Sequence, residues 1–275
     1  MDDYRALNRA NWDERAPAHA ASSGYAFRQF AEDPAFLSEV VRFDRDRLGD
    51  LTGLRGIHLQ CHIGTDTLSL QRLGARMTGL DFSPAALLEA RRLVAEVGAE
   101  LEFVEADAYQ AAEILGAGQF DLVYTGIGAL CWLPDIARWG QLVGQLLKPG
   151  GRLFIREGHP MLWAVDDTQL DRLVIDYPYF ETVKPVLFEE PGTYVETDVE
   201  FEHNWSASWN HGLGEIITSL FAAGLHLTAF EEHDSVPWCA LPGRMTELGG
   251  GEWRLTDRPE RLPHSYTLQA VKPAN

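Results

Sequence analysis

The chain has 275 residues, 45% of them hydrophobic and 23% charged, enough for one large domain or two small ones with a sizeable core. Its formal net charge is −18 and only three of its 23 basic residues are lysines, so its surface repels phosphate backbones and anionic lipid and argues against nucleic-acid or membrane partners. No apolar run is long enough to span a bilayer and no leader peptide is recognisable; the cysteines Cys61, Cys131 and Cys239 are scattered without a C-x-x-C pair, which fits a reducing, cytoplasmic compartment and argues against a zinc site.

Tyr4 to Phe36 is helical in pattern and unusually aromatic, carrying NRANWDERAPAHA and then Ser22-Ser23-Gly24-Tyr25. Phe36 to Leu48 reads as a second, amphipathic helix. The stretch from Gly56 to Pro84 is strand, glycine turn, helix, strand. Ile57, Leu59 and Cys61 alternate with His58 and Gln60; Asp66 to Leu73 is the helix; Met77 to Leu80 is the second strand, with Asp81 at its carboxyl end. A turn, a helix N-terminus and a downstream carboxylate make a unit that binds a nucleoside. The turn and helix end take an anionic group, and the carboxylate accepts ribose hydroxyls.

Ser83 is an N-cap with Pro84 at the first helical position, and the helix from Ala85 to Val97 stops at Gly98. Leu101 to Val104 is the third strand, followed by Glu105-Ala106-Asp107-Ala108. Phe120 to Tyr124 is the fourth, and Thr125-Gly126-Ile127-Gly128 leaves it at the end where ligands of open α/β sheets sit. The next helix begins at Cys131 to Asp135 and buries Ile136, Trp139, Val143, Leu146 and Leu147. Lys148-Pro149-Gly150-Gly151 reads as a tight turn into a fifth strand, Arg152 to Arg156. From Glu157 to Asn210 aromatics and acids interleave, and the near alternation of Tyr194 to Phe201 predicts strands of a small inserted sheet. Leu213 to Ala223 is a helix, Leu225 to Glu232 the sixth strand, Pro237 to Pro263 a loop, and Ser265 to Val271 the last strand.

In these features the chain resembles the class I S-adenosylmethionine-dependent methyltransferases, and in particular a bacterial subgroup whose first motif reads LHLQCH-x-G-x-D-T. The common D/E-x-G-x-G-x-G motif falls on His58 to Gly64, where only the last glycine survives. Asp81-Phe82 matches the second motif, and the helix followed by L-K-P-G-G and a strand is a family hallmark. The resemblance implies a Rossmann-like, doubly wound, seven-stranded α/β sheet with its last strand antiparallel and a small inserted β cap. It implies one domain: a helical cover over 1–50, a cofactor-binding core over 51–156, the cap over 157–210 and the rest of the sheet over 211–275. S-adenosyl-L-methionine is the implied cofactor. Asp81 would take its ribose, Asp107 its adenine amino group and the Ala108 amide a ring nitrogen. Tyr25, Gln60, Cys61, His62, Gly64, Phe82, Thr125 and Gly126 would complete the site. Asp107 has a second reading as a helix cap, and Gln60 and His62 either reach the methionine part or point away from it.

The sequence after the fourth strand, TGIGALCW, lacks the acidic D/N-P-P-Y signature of amide-nitrogen methylation, so the acceptor is a small molecule. Trp12, Tyr25 and Trp132 are its candidate walls, or else pack peripheral structure. His159 leaves the fifth strand at its carboxyl end and His211 precedes the helix after the cap; each is either the acceptor's general base or a turn and helix-end residue. Two other classes share the strand–turn–helix signals. A nicotinamide-dependent dehydrogenase is disfavoured by the missing G-x-G-x-x-G, and a non-catalytic nucleoside-binding protein follows if the lost glycines cost activity.

Overall fold

A computed structural model of the protein describes residues 3–169 and 171–274. Its helices are α1 (Asp3–Ala21), α2 (Phe27–Glu32), α3 (Glu39–Leu48), α4 (Thr65–Arg72), α5 (Pro84–Glu96), α6 (Ala111–Leu115), α7 (Ile136–Leu146), α8 (Pro160–Trp163) and α9 (Leu213–Ala222). Its strands are β1 (Arg55–Leu59), β2 (Arg76–Asp81), β3 (Glu102–Glu105), β4 (Phe120–Thr125), β5 (Leu147–Gly158), β6 (Val186–Glu189), β7 (Trp205–Ser208), β8 (His226–His233), β9 (Met245–Gly249), β10 (Glu252–Leu255) and β11 (Ser265–Val271). Seven strands form one sheet in the order β3-β2-β1-β4-β5-β11-β8. The first five are parallel, and β11 runs antiparallel to both β5 and β8. The strand order turns back on itself between β1 and β4, and the crevice outside their carboxyl ends is where such sheets bind ligands.

Both faces of the sheet are covered, which is why β4 reads as a nearly continuous apolar run. Phe120 and Val123 join Trp139, Leu142, Val143 and Leu146 of α7 and Ile216 and Leu220 of α9 on one face. Leu122 and Tyr124 meet Val41 and Leu48 of α3, Leu70 of α4 and Phe154 of β5 on the other. Ala16 of α1 and Phe27 and Phe30 of α2 pack on Ile63, Leu68, Ala86 and Leu93, so the N-terminal segment lies over α4 and α5. Among the described residues no helix is long and apolar enough to cross a membrane.

Four expectations from the sequence are corrected. The helix expected from Cys131 is only a short 3-10 turn, Leu130–Trp132; α7 starts at Ile136 because Asp135 Oδ1 caps it, accepting the Arg138 amide at 2.8 Å. The Lys148–Gly151 segment is the irregular first part of β5 rather than a turn before it, since the Gly150 amide and the Gly151 carbonyl bond with Lys272 beyond β11. The inserted sheet forms from β6 and β7, not from Tyr194–Phe201. Carbonyls and amides flanking that segment are taken by α1, with Arg15 donating to Glu190, Gly192 and His203 and Glu14 accepting the Glu202 and His203 amides, so no strand partner is needed. Finally, the loop expected over Pro237–Pro263 contains the β9–β10 hairpin, whose turn uses the positive φ of Gly250 and Gly251.

The hairpin is anchored by a buried ion pair. Arg156 Nη1 and Nη2 each lie 2.9 Å from a carboxylate oxygen of Glu252, and the guanidinium sits 3.5 Å over the Phe43 ring. Beside it Asp44 is fully buried, 3.3 Å from Thr267 Oγ1, and its other oxygen has no partner. Burial pushes the Asp44 carboxyl up to about 7, against the pull of Arg156 and Arg47. The folded protein therefore keeps this proton to about pH 7, whereas the unfolded chain releases it near pH 4. Its stabilising effect is complete below pH 4 and is lost as pH rises to 7, at about 1.4 kcal/mol per pH unit. Asp44→Asn is expected to be more stable than the parent at pH 8, with the difference shrinking toward pH 4 in urea unfolding; equal stability of the two proteins at every pH is the contrary result.

Candidate functional site

The turn after β1 keeps a glycine backbone without the glycines. Gln60, His62 and Gly64 have φ of 56°, 51° and 80°, so three alternate residues are left-handed. For the two non-glycine residues this costs roughly 1–2 kcal/mol each. At Gly64 no side chain fits, since a Cβ there would lie 2.8 Å from Ala90 and 3.0 Å from Phe103. Asp81, at the end of β2, fixes the turn. Its Oδ2 accepts the His62 amide at 2.8 Å and its Oδ1 the Ser83 amide at 2.9 Å. Burial lifts this carboxyl to about 6 against the pull of those amides. Gln60 Nε2 donates to the Ala129 carbonyl at 2.9 Å, which leaves Oε1 as a buried acceptor without a partner.

The opposite wall of the crevice is the loop after β4, and Glu157 organises it from the end of β5. Its Oε2 accepts the Ala129 and Leu130 amides at 2.9 and 2.8 Å, and its Oε1 accepts those of Gly128 and Gly158 at 2.5 and 2.7 Å. Trp132 Nε1 donates to the Gly128 carbonyl at 2.8 Å, so the indole folds back over the loop. Thr125 is buried and its Oγ1 is unpartnered.

The N-terminal helix and the cap close over this crevice. Trp12 meets His62 at 5.0 Å and Trp132 at 5.3 Å between ring centroids, both edge-on, and Tyr25 meets His62 at 5.4 Å. His62 Nε2 lies 3.0 Å from His19 Nδ1, and His19 Nε2 lies 2.6 Å from Thr193 Oγ1 of the cap. The hydroxyls of Tyr25 and Tyr194 are hydrogen-bonded to each other across the same gap. Burial drives both histidines toward the neutral form, His19 down to about 3. Below them α1 is stitched to the cap: Asn8 exchanges two hydrogen bonds with the Ala207 backbone, and Asn11 donates to the His203 and Trp205 carbonyls. Among the described residues no group of three or more His, Cys, Asp or Glu side chains is arranged to hold a metal ion.

Comparison with known proteins agrees with this layout. Residues 57–153 match the family described as "Methyltransferase domain". The matched stretch runs from β1 into β5. A ubiquinone biosynthesis O-methyltransferase of Nitrosococcus oceani is 38% identical over 104 residues, 38% of this chain and 43% of that protein. One from Xanthomonas oryzae is 31% identical over 160 residues, 56% of this chain and 59% of that protein, so the chain spans about half the length of the curated relatives it matches. The fold is that of an S-adenosylmethionine-dependent methyltransferase from Mesorhizobium loti (23% identity, TM-score 0.56, covering 85% of this chain and 98% of that one). It is shared by 1,6-didemethyltoxoflavin-N1-methyltransferase of Burkholderia thailandensis, solved with bound 1,6-didemethyltoxoflavin and S-adenosylhomocysteine (16% identity, TM-score 0.54, covering 98% of this chain and 89% of that one).

The residues singled out from the sequence separate into groups. Gln60, His62, Gly64 and Asp81 build the turn, with Phe82 half-buried just beyond, and Thr125 and Gly126 face it from β4. Trp12, Tyr25 and Trp132 meet around His62. The side chain of Cys61 packs into the core with Leu87, Ala90, Val94 and Phe103, so only its backbone lines the turn. Asp107 does cap the 3-10 turn after β3, accepting the Tyr109 amide at 2.8 Å, and its other oxygen is 3.0 Å from Arg5 Nε; Ala108 follows it, buried.

Each of the two candidate bases has structural partners. His159 is only 2% exposed, with Nδ1 accepting the Met161 amide at 3.0 Å and Nε2 lying 2.9 Å from Glu232 at the far edge of the sheet. His211 directs Nε2 at the Leu130 and Leu133 carbonyls and has Nδ1 2.9 Å from Glu181. Both nitrogens of His159 and Nε2 of His211 hold structure, while His211 Nδ1 is buried with the Glu181 carboxylate as its neighbour. Sequence reasoning missed His19, Glu157 and Thr193. His19 sits seven residues after Trp12 on one helix, a two-turn spacing that puts both on the same face. Asp81 generates a pH prediction. Donors from ribose favour its ionised form, so affinity for S-adenosylhomocysteine should hold above pH 7 and weaken as pH falls through about 6. Asp81→Asn should weaken binding at pH 7.5 by about 1.5–3 kcal/mol and make that fall shallower; calorimetry showing the same profile for both proteins would refute the assignment.

Proposed function

We propose that the protein is an S-adenosylmethionine-dependent methyltransferase that transfers a methyl group in line to a small-molecule acceptor. The observation that carries this is the turn itself. Two non-glycine residues are left-handed there, His62 held by Asp81 and Gln60 bonded through its side chain to the Ala129 carbonyl, a strained arrangement of the kind that clusters at ligand sites. The donor set fits the cofactor: Asp81 for the ribose hydroxyls, Asp107 and the Ala108 amide for the adenine, and the unpartnered Gln60 Oε1 for the ammonium group. When bound, this cofactor supplies a methyl made electrophilic by its sulfonium.

The chain's own residues then position and dehydrate. Trp12, Tyr25 and Trp132 wall the space above His62, which suits a flat, partly apolar acceptor. The curated relatives are named as O-methyltransferases, which favours a hydroxyl on that acceptor. His62, bonded to His19, is the polar group nearest these walls and can accept a hydrogen bond from the hydroxyl in its neutral form. Burial makes both rings weak bases, so most of the acceleration comes from proximity and the exclusion of water. We read residues 1–50 as the cover and 157–210 as the cap of a single domain, working in the cytoplasm on a free metabolite. The test is calorimetric titration with S-adenosylhomocysteine and with NAD, followed by labelled methyl transfer into metabolite pools. Binding of S-adenosylhomocysteine alone is expected; binding of NAD alone overturns the proposal, and binding without transfer leaves only a nucleoside-binding protein.

A further inference from the structure

The amino-acid end of the cofactor carries an ammonium group as well as a carboxylate, and a buried ammonium needs a counter-charge. The turn alone does not offer one. Its backbone amides and the N-terminus of α4 attract the carboxylate and repel the ammonium. Asp81 is committed to two amides on the ribose side, and His58, at the position of the strand-end acid in the common motif, is held neutral by burial, its pKa lowered to about 3. Glu157, on the opposite wall, is committed to four amides, and another carboxylate approaches the crevice from α4. Asp66 lies in the first turn of α4, only partly exposed. A Cβ placed on Gly126 would lie 3.5 Å from Asp66 Oδ2 and 3.3 Å from His58 Nε2. The acid from α4 and the ring from β1 thus converge on one point above the backbone that leaves β4, and the glycine there keeps that point open.

We propose that Asp66 is the counter-ion of the cofactor's ammonium group, a role moved from the end of β1 to the first turn of α4. The unpartnered Gln60 Oε1 of the turn is a further acceptor. The other titratable groups acting on Asp66 or acted on by it are Tyr25, Tyr194 and Tyr124, all held protonated by burial, and among the described residues no cation is among them. The Ser38 hydroxyl bonds it, and burial still raises its pKa to about 6, the state of a carboxylate awaiting a positive partner.

This inference rests on the proposed cofactor, and the experiment separates the two. S-adenosylhomocysteine has the ammonium group; 5′-methylthioadenosine keeps the adenosine and sulfur but lacks the amino-acid end. Calorimetry on the parent protein and on Asp66→Asn with both ligands at pH 7.5 is expected to show S-adenosylhomocysteine weakened at least about tenfold and 5′-methylthioadenosine within about twofold. Retained binding of the second ligand also reports that the variant is folded. Gly126→Ala, which puts a methyl group at the convergence point without changing charge, should show the same selective loss and carries the comparison if Asp66→Asn does not fold. Unchanged affinity for S-adenosylhomocysteine, or equal losses for both ligands, overturns the role of Asp66. Binding of neither ligand by the parent protein overturns the cofactor assignment itself.

Discussion

The site depends on one carboxylate. Asp81 accepts the amides of His62 and Ser83, and in doing so joins the turn after β1 to the start of α5. That bond holds His62, a non-glycine residue whose left-handed backbone costs roughly 1–2 kcal/mol. A hydrogen bond to an ionised group contributes on the order of 1.5–3 kcal/mol, enough to offset that cost. Glycines would give the same turn at less steric cost but would leave the crevice without side chains. Gln60 and His62 trade backbone ease for a pinned amide and an imidazole that the lid can grip.

The lid follows from that grip. His62 faces Trp12, His19 and Tyr25, all brought by the N-terminal segment, and His19 in turn reaches Thr193 in the cap. Asn8, Asn11 and Arg15 are on α1 at spacings of three and four residues, and all bond backbone groups of the cap. Arg15 spends its donors on carbonyls rather than on a carboxylate, so its contribution is to order irregular chain rather than to balance charge. The N-terminal helix and the segment it bonds are therefore tied together, since separating them would strip several carbonyls of their donors.

The sheet was legible in the sequence because its signals are local. Buried parallel strands are apolar runs, Ser83-Pro84 starts a helix by known chemistry, and Asp81 follows its strand directly. What escaped were features settled between distant segments. Tyr194–Phe201 alternates like a strand, yet α1 satisfies the backbone around it, and no pattern within the segment announces that. The β9–β10 hairpin hides behind three consecutive glycines that resemble a loop. His159 and His211 stand at the right ends of the right elements, and their partners, Glu232 and Glu181, lie 73 and 30 positions away in the chain. A histidine's place in the topology says where its backbone is; only the tertiary partners of its two nitrogens say whether it is free to react.

Charge gives the crevice its remaining logic. A cationic cofactor entering a desolvated site is resisted by any positive group already there, and His19, His58 and His62 are all held neutral by burial. The carboxylates around them, Asp66 and Asp81, are both lifted to about 6, so each gains when a cation or a hydroxyl donor arrives. The arrangement is electrostatically complementary to a ligand that is positive at its amino-acid and sulfonium end and rich in hydroxyls at its ribose. In the proposed reaction, methyl transfer would remove the sulfonium charge. The same neutral rings and raised carboxylates that favour the charged ligand would then favour its thioether product less, which would loosen the product without any further conformational signal.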